Sequence, residues 1–414
     1  MSRDTLKTVH PSPPVEADPL TCIANILEAL YQPLKEYLET VSPEHTDTYN
    51  SAMVNQMLAA SPLAPLLSDD SIRDIFINGA HEIYINRNDK LEKTAVTFAD
   101  SKSLRLLARA IASSVGRNLD PRRPLVDARL KDGSRVNIIA PPMAVDGMAI
   151  SIRKFPKQEI VLETLIEKNE MSRQMGEFLK LCAQCRVSLL ISGGTGTGKT
   201  TLLNAISSFI HDNERIITIE DTAELRLQQP HVVRLEIKEP SVYGERKEEV
   251  SASDLVRNAL RMRPDRIIIG EVRRDEAYDM IQALNTGHDG SMTTMHANTP
   301  RDAFTRIENL MGPRMQNTPA ASIRQQIVSA LRLIIQLVYN TDGTRMVSSI
   351  TEIVGMEGEI PTMQEIFRLH EGKNATTGAT EYSQRWTKII PHHPGLSEAM
   401  RNNPVFVIES EDLA

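Results

Sequence analysis

The stretch "VSLLISGGTGTGKTTLLNAISSFI" (187–210) joins an apolar run to a glycine-rich turn and then to a helical pattern. Gly193, four residues, and then Gly198-Lys199-Thr200 have the spacing of a P-loop, in the strand–loop–helix context that this motif requires. Glycines let successive backbone N–H groups converge on phosphate oxygens where side chains would collide. The start of the following helix adds its positive dipole end. An α/β fold is therefore expected, with ATP and Mg2+ as ligands. Gly193, Gly194, Thr195, Gly196, Thr197 and Gly198 would cradle phosphate, and Lys199 would charge-pair with the β- and γ-groups. Thr200 would offer a hydroxyl to Mg2+, and Thr201 would help hold the α-phosphate.

A nucleotide site alone fits kinases, GTPases and motor ATPases, so the rest of the chain must separate them. At 414 residues there is room for two or three domains. The net charge of −7 disfavours a dedicated nucleic-acid binder. No apolar run approaches the roughly 20 residues that span a bilayer, and the N-terminus lacks the apolar core of a secretory signal. A cytoplasmic protein without direct membrane insertion is expected. Three cysteines, Cys22, Cys182 and Cys185, are too few for a disulfide framework. The C-A-Q-C pair has no second half to complete a zinc site, so core packing is the expected role for Cys182 and Cys185.

Residues 1–60 read as an N-terminal extension, Pro-rich and disordered to about residue 18, then helical over "LTCIANILEALYQPLKEYLE" with a break at Pro33. "SAMVNQMLAASPLAPLL" suggests another short helix. From 61 to 155 the texture is α+β. "IRDIFINGAHEIYINRNDKLEKTAVTF" alternates around Asn-Gly and Asn-Asp turns, "SKSLRLLARAIASSVG" is amphipathic, and "PLVDARLKDGSRVNIIAPP" and "MAISIRKF" read as strands. Residues 156–172 look like a linker running into a helix, or else the first helix of the next domain. From 173 to 414 strands and helices alternate, predicting a parallel sheet covered on both faces, with antiparallel strands added after Met346.

Within that second region, "RPDRIIIGEVRRDE" is an apolar run closed by Gly270-Glu271, the form expected of the strand beside the P-loop. A carboxylate there can activate water or hold Mg2+ through its hydration shell. "RIITIEDTAEL" ends another apolar strand with Glu220, Asp221 and Glu224, where parallel sheets bind ligands. In "TGHDGSMTTMHANTP" the spacing does not suit a zinc pair. With the upstream motifs in place, His296 and Asn298 read as the end of a strand at a sheet edge that feels the γ-phosphate, with His288 a secondary candidate; a satisfied structural histidine is the alternative for both. Arg129, Arg135 and Arg153, in "VDARL", "GSRVN" and "SIRKF", could serve as donors to phosphate from the other domain.

Together "GGTGTGKTTLLNA", "IITIEDTAEL", "LRMRPDRIIIGEVR" and "NTGHDGSMTTMHANTPRDAFTRIE" resemble the type II/type IV secretion ATPase superfamily. "VDARLKDGSRVN", "ISIRKF" and "QQPHVVRLE" are similar, more narrowly, to the Tad/Flp pilus-assembly branch, the CpaF/TadA ATPases. The resemblance runs from about Leu66 to about Glu371. It implies a homohexamer of protomers, each with a PAS-like α+β N-terminal domain linked to a RecA-like P-loop NTPase domain. It further implies a Walker A box at Gly193–Thr200, an acidic box at Glu220, Asp221 and Glu224, and an atypical Walker B glutamate at Glu271. The histidine box falls on His288 through His296, and the N-terminal-domain arginines fall on Arg135 and Arg153, with Arg129 the weaker match.

The expected activity is ATP hydrolysis driving pilus assembly, retraction or protein secretion. An inner-membrane platform protein would be the partner, and the ring would be peripheral to that membrane. Glu271 would orient or deprotonate the attacking water, supported by Glu220, Glu224, His296, Arg135 and Arg153. The alternatives are the same machine in conjugation or effector secretion, and a RecA-like nucleic-acid-stimulated ATPase.

Overall fold

Period-two alternation and well-placed turns in residues 72–93 and 125–153 give an antiparallel sheet. The computed structural model describes residues 49–87, 90–155, 161–237, 250–340, 343–373 and 380–406. The expected disorder of residues 1–18, the helix over 20–39 and Cys22 lie outside the described residues. The chain divides into two compact units, residues 1–157 and 158–414.

In the first unit, helices α1 (Ser51–Ala60) and α2 (Ala64–Ser68) precede strands β1 (Ile72–Asn78), β2 (Ile83–Arg87) and β3 (Lys90–Lys93). Helix α3 (Ser101–Ser114) follows, then β4 (Leu125–Arg129), β5 (Arg135–Ile139) and β6 (Ala149–Arg153). The strands form an antiparallel sheet of order β3-β2-β1-β6-β5-β4. Asp100 caps α3 by accepting from the Ser103 amide at 2.7 Å. One sheet face contributes Ile75, Ile77, Val136, Ile138, Ile150 and Ile152 to a core shared with Leu104, Leu107 and Ile111 of α3. Val54 and Leu58 of α1 enter the same core, so this helix, expected to belong to an extension ending at residue 60, packs into the α+β unit.

The second unit begins with α4 (Leu162–Glu167) and α5 (Arg173–Gln184). Leu162, Leu165 and Met171 are buried in its core. At about 1.5–3 kcal/mol for each buried aliphatic side chain, that burial holds residues 162–172 to the second unit rather than leaving them as a free connector. Then come β7 (Leu189–Gly193), α6 (Lys199–Ser207), β8 (Ile216–Glu220), β9 (Val232–Glu236), α7 (Ala252–Ala259), β10 (Arg266–Ile269), α8 (Glu276–Asn285) and β11 (Met292–Met295). The unit closes with α9 (Pro300–Met311), α10 (Ala320–Ala330), β12 (Leu333–Tyr339), β13 (Arg345–Glu357), β14 (Ile360–Lys373), β15 (Thr380–Trp386) and α11 (Pro394–Arg401).

Their sheet has the order β15-β14-β13-β12-β7-β11-β10-β8-β9. It is parallel from β12 to β9, and β13, β14 and β15 extend it antiparallel. Successive side chains of each central strand go to opposite faces. Leu189, Ile191, Met292 and Ile335 join one core with α5 and α6, and Leu190, Ile217, Met295 and Ile334 join another with α7 to α10. Two sequence expectations need correction here. The strand that carries Glu271 is not beside the glycine-rich strand, because β11 lies between them. The histidine strand β11 is consequently interior to the sheet and not at its edge. The two described cysteines are both in or against the core. Cys182 is fully buried and Cys185 half-buried, and burial pushes both thiols up, Cys182 far up, so neither forms a ready thiolate.

Candidate nucleotide-binding site

The glycine-rich loop connects the carboxyl end of β7 to the first turn of α6. Gly198 is the residue before the helix and has φ +95°, a left-handed conformation that a side chain would strain. Gly194, Thr195 and Gly196 are exposed, while Lys199 is buried. The Thr197 hydroxyl donates to the Gly194 carbonyl at 2.9 Å and folds the loop on itself. The Lys199 ammonium donates to the carbonyls of Gly193 at 3.1 Å and Gly194 at 2.8 Å. Burial lowers its pKa, Glu271 opposes that shift, and Arg273 adds to it.

Because β11 separates β7 from β10, the side chain after β11 stands between Lys199 and Glu271. His296 Nδ1 is 3.4 Å from Lys199 Nζ, and its Nε2 is 3.0 Å from Glu271 Oε1. The second contact lacks the alignment of a hydrogen bond. An ammonium can only donate, so Nδ1 accepts and Nε2 carries the proton that faces the carboxylate. Burial lowers the His296 pKa, and Lys199, Arg273 and Arg306 lower it further against the pull of Glu271. The imidazole therefore lies between the loop lysine and the glutamate.

Glu271 is fixed from its other oxygen by Arg273, whose Nη2 donates to Oε2 at 2.8 Å while its Nη1 pairs with Asp221 at 2.6 Å. Burial alone would raise the Glu271 pKa. The hydrogen bond and charge of Arg273, with His296 and Lys199, hold it below the ordinary value. Glu276, at the start of α8, accepts from the Arg273 and Arg274 amides at 2.6 and 2.9 Å and so fixes the turn that follows Glu271. The sequence reading passed over Arg273, although two arginines beginning two positions after Glu271 are close enough to fold back on it.

Glu220 ends β8 inside the protein. One of its oxygens accepts from the Glu224 and Leu225 amides at 2.7 and 2.8 Å, and the other is buried with no hydrogen-bond partner among the described residues. A Cβ on Gly270 would come within 3.0 Å of its Cγ, so the glycine makes room for Glu220. Burial raises the Glu220 pKa to about 7 despite the two amides and Arg234, and Glu224 adds to the rise. Folding thus favours its protonated form. The stability this gives is complete below the ordinary 4.5 and is lost as pH rises through about 7. Glu220→Gln is expected to remove a loss on the order of 2–3 kcal/mol between pH 5 and pH 8 in the ligand-free protein. Denaturant midpoints of both proteins at the two pH values check this; equal slopes with pH would refute it.

Several predicted residues group differently. His288 precedes β11, at the opposite end from His296, and its Nδ1 lies 3.0 Å from the Ala283 carbonyl near the end of α8. That contact holds it at the end of the helix, away from the loop. Asn298 is exposed beyond β11. Thr200 and Thr201 are half-buried in the first turn of α6. In the first unit, strand register sets Arg129 opposite Arg135, Arg135 opposite Arg153, and Arg153 opposite Asp74. Directly opposed residues share a face, so the three arginines form one row on the side away from the core. Arg153 Nε bonds Asp74 at 3.1 Å.

The residues fit a Mg2+–nucleotide. The loop exposes backbone at its tip, its lysine is held by its own carbonyls, and the acidic wall contains the unpartnered Glu220 oxygen. The family model described as "Type II/IV secretion system protein" matches residues 56–378. The chain belongs to this secretion family. A putative conjugal transfer protein of Mycobacterium tuberculosis is 33% identical over 311 residues, covering 74% of this chain and 87% of that protein. The type IV secretion system protein PtlH of Bordetella pertussis is 34% identical over 299 residues, covering 66% and 87%. In fold, the chain is similar to the Legionella pneumophila ATPase DotB, with a TM-score of 0.51 at 21% identity over 75% of this chain and 82% of that one. Within the secretion family frame, no helix among the described residues is long and apolar enough to cross a membrane.

Proposed function

We propose that this secretion-family protein hydrolyses ATP as a homohexameric motor, with a RecA-like P-loop domain following a PAS-like one. The observation that carries the reading is the contiguous set Lys199–His296–Glu271–Arg273 behind a glycine-rich loop. In this reading Gly193 to Gly198 cradle the phosphates with their backbone amides, and Lys199 exchanges its loop carbonyls for phosphate oxygens. Thr200 and Glu271 would hold Mg2+, which would supply positive charge to the phosphates. Glu271 takes the proton of the attacking water, kept ionised by Arg273 and aligned by His296. Glu220 and Glu224 shape the acidic wall, and Arg135 and Arg153 offer charge from the first domain.

His296 and Asn298 would report the γ-phosphate to the rest of the protein, and the resulting movement would drive a platform protein at the inner membrane. The motor would work in the cytoplasm, peripheral to that membrane, without nucleic acid. The blocks "VDARLKDGSRVN" and "QQPHVVRLE" favour Tad/Flp pilus assembly or retraction. A second reading, conjugative or effector secretion, is favoured by the names of the Mycobacterium and Bordetella relatives. Identification of the membrane protein recovered with the tagged chain separates the two.

The test is phosphate release measured against oligomeric state. Turnover confined to the ring supports a motor, and a monomer turning over at full rate defeats it. Lys199→Ala is expected to weaken nucleotide binding at least about 10-fold, since it removes the buried charge that meets the phosphates. Titration with a fluorescent ADP analogue checks this, and unchanged affinity would displace the loop from the site.

A further inference from the structure

We propose that Gln336 is the positioning residue that couples the glycine-rich strand to His296; this rests on the ATPase reading above. Strand β12 reads "LIIQLVY", and Gln336 is the one amide in an apolar, buried run. It is 3% exposed and lies in parallel register with Ser192, the residue before Gly193. The Ser192 hydroxyl donates to Gln336 Oε1 at 2.5 Å. Gln336 Nε2 donates to the carbonyls of Ala297 and Leu337, both at 3.2 Å. Turning the amide over would set its oxygen against two carbonyl oxygens, so the network fixes its orientation.

The two partners on either side decide what this amide does. Ser192 leads directly into the loop that holds Lys199, and Ala297 directly follows His296. β7 lies between β12 and β11, so the side chain of Gln336 bridges past the end of β7 to the segment leaving β11. Sheet hydrogen bonds fix β11 only as far as Met295, which pairs with Ser192. Beyond that point the backbone of His296 and Ala297 leaves the ladder, and the Gln336 bond to Ala297 sets where it goes. A buried amide with its donors and acceptor engaged is a rigid strut, and removing it leaves the Ala297 carbonyl without that partner. The imidazole must keep 3.4 Å to Lys199 and 3.0 Å to Glu271 at once, a geometry that a shift of about 1 Å would break.

Gln336→Met keeps length and bulk while removing both polar functions. It is expected to lower kcat roughly 10-fold with ADP affinity unchanged within twofold, because ADP binding uses the loop and not the histidine. The deciding measurement is the double-mutant cycle: in a His296→Ala background, Gln336→Met should cause no further loss. Gln336→Asn, which retains an amide too short to reach both partners, serves if the methionine variant does not fold, and should show the same kcat loss and the same cycle. Equal losses in the presence and absence of His296 would overturn the proposal, leaving Gln336 a packing residue. Wild-type turnover in His296→Ala alone would instead remove His296 from the mechanism, and this inference with it, while leaving ATP hydrolysis itself intact.

Discussion

Glu271→Gln is expected to lower ATP turnover by about 10²–10⁴-fold while nucleotide binding is retained. Glutamine has the same shape and can still accept from Arg273 through its oxygen, so the turn held by Glu276 need not move. What disappears is the carboxylate that Arg273, His296 and Lys199 jointly hold below its ordinary pKa. The amide cannot take a proton from water. Binding depends on the loop and Lys199, on the far side of His296, so the loss should appear in kcat and not in affinity. Phosphate release at saturating ATP and equilibrium binding of a fluorescent analogue measure the two separately. Undiminished turnover would move the proton-accepting role elsewhere, with Glu220, whose pKa of about 7 suits a base, as the next group to replace.

The largest effect on stability is expected far from the loop. Arg266 opens β10 with no solvent exposure, and its guanidinium bonds Glu214 through Nε at 2.8 Å and Nη2 at 2.7 Å. Its Nη1 donates to the Gly290 carbonyl at 3.3 Å, and Arg186 pairs with Glu214 from the other side at 3.0 Å. Glu214→Ala would leave that buried cation without its anion, at a cost of about 3–5 kcal/mol. For a unit of this size the melting temperature should fall by roughly 10 °C. Burial pushes the Glu214 pKa up, but Arg266 and then Arg186 pull it below its ordinary value overall. Its contribution is therefore present above the ordinary carboxylate range and disappears as pH falls through the depressed folded-state value. Thermal melts at pH 7 and under acid conditions check both claims. A melting temperature within a degree of wild type would show that the pair is not what holds β8 to β10.

Much of this was legible in the chain. The glycine spacing, the apolar run before it and the lysine after it are consecutive residues, and local chemistry gives them one strand–loop–helix form. Gly270-Glu271 and Glu220 were legible for the same reason, as carboxylates closing apolar strands. The burial of Cys182 followed from its apolar neighbours. Harder to read was which strands lie side by side. Periodicity reports the face of a strand and not its neighbour in the sheet. Hence the order β7-β11-β10 was missed, and with it the placement of His296 between Lys199 and Glu271. His288 and His296 are eight residues apart, and the strand between them carries them to opposite ends of β11. At about 3.3 Å per residue, that separation outweighs their nearness in sequence.

The row of Arg129, Arg135 and Arg153 is of the same kind. Each was visible as an arginine on a strand, and only the antiparallel register set them opposite one another. Gln336 and Arg273 carried weaker signals, a lone amide in an apolar run and a basic pair after Gly-Glu. What they do depends on Ala297, 39 positions away from the first, and Asp221, well upstream of the second. The sequence by itself determined that the chain would build a glycine-rich loop on a parallel sheet and put carboxylates at the strand ends, because those features rest on backbone conformation and on residues a few positions apart. Only the tertiary structure decided which carboxylate the histidine meets, what holds it there and which glycine leaves room for Glu220. Those are contacts between strands remote in sequence, and side-by-side packing in the sheet is what brings them within hydrogen-bonding range.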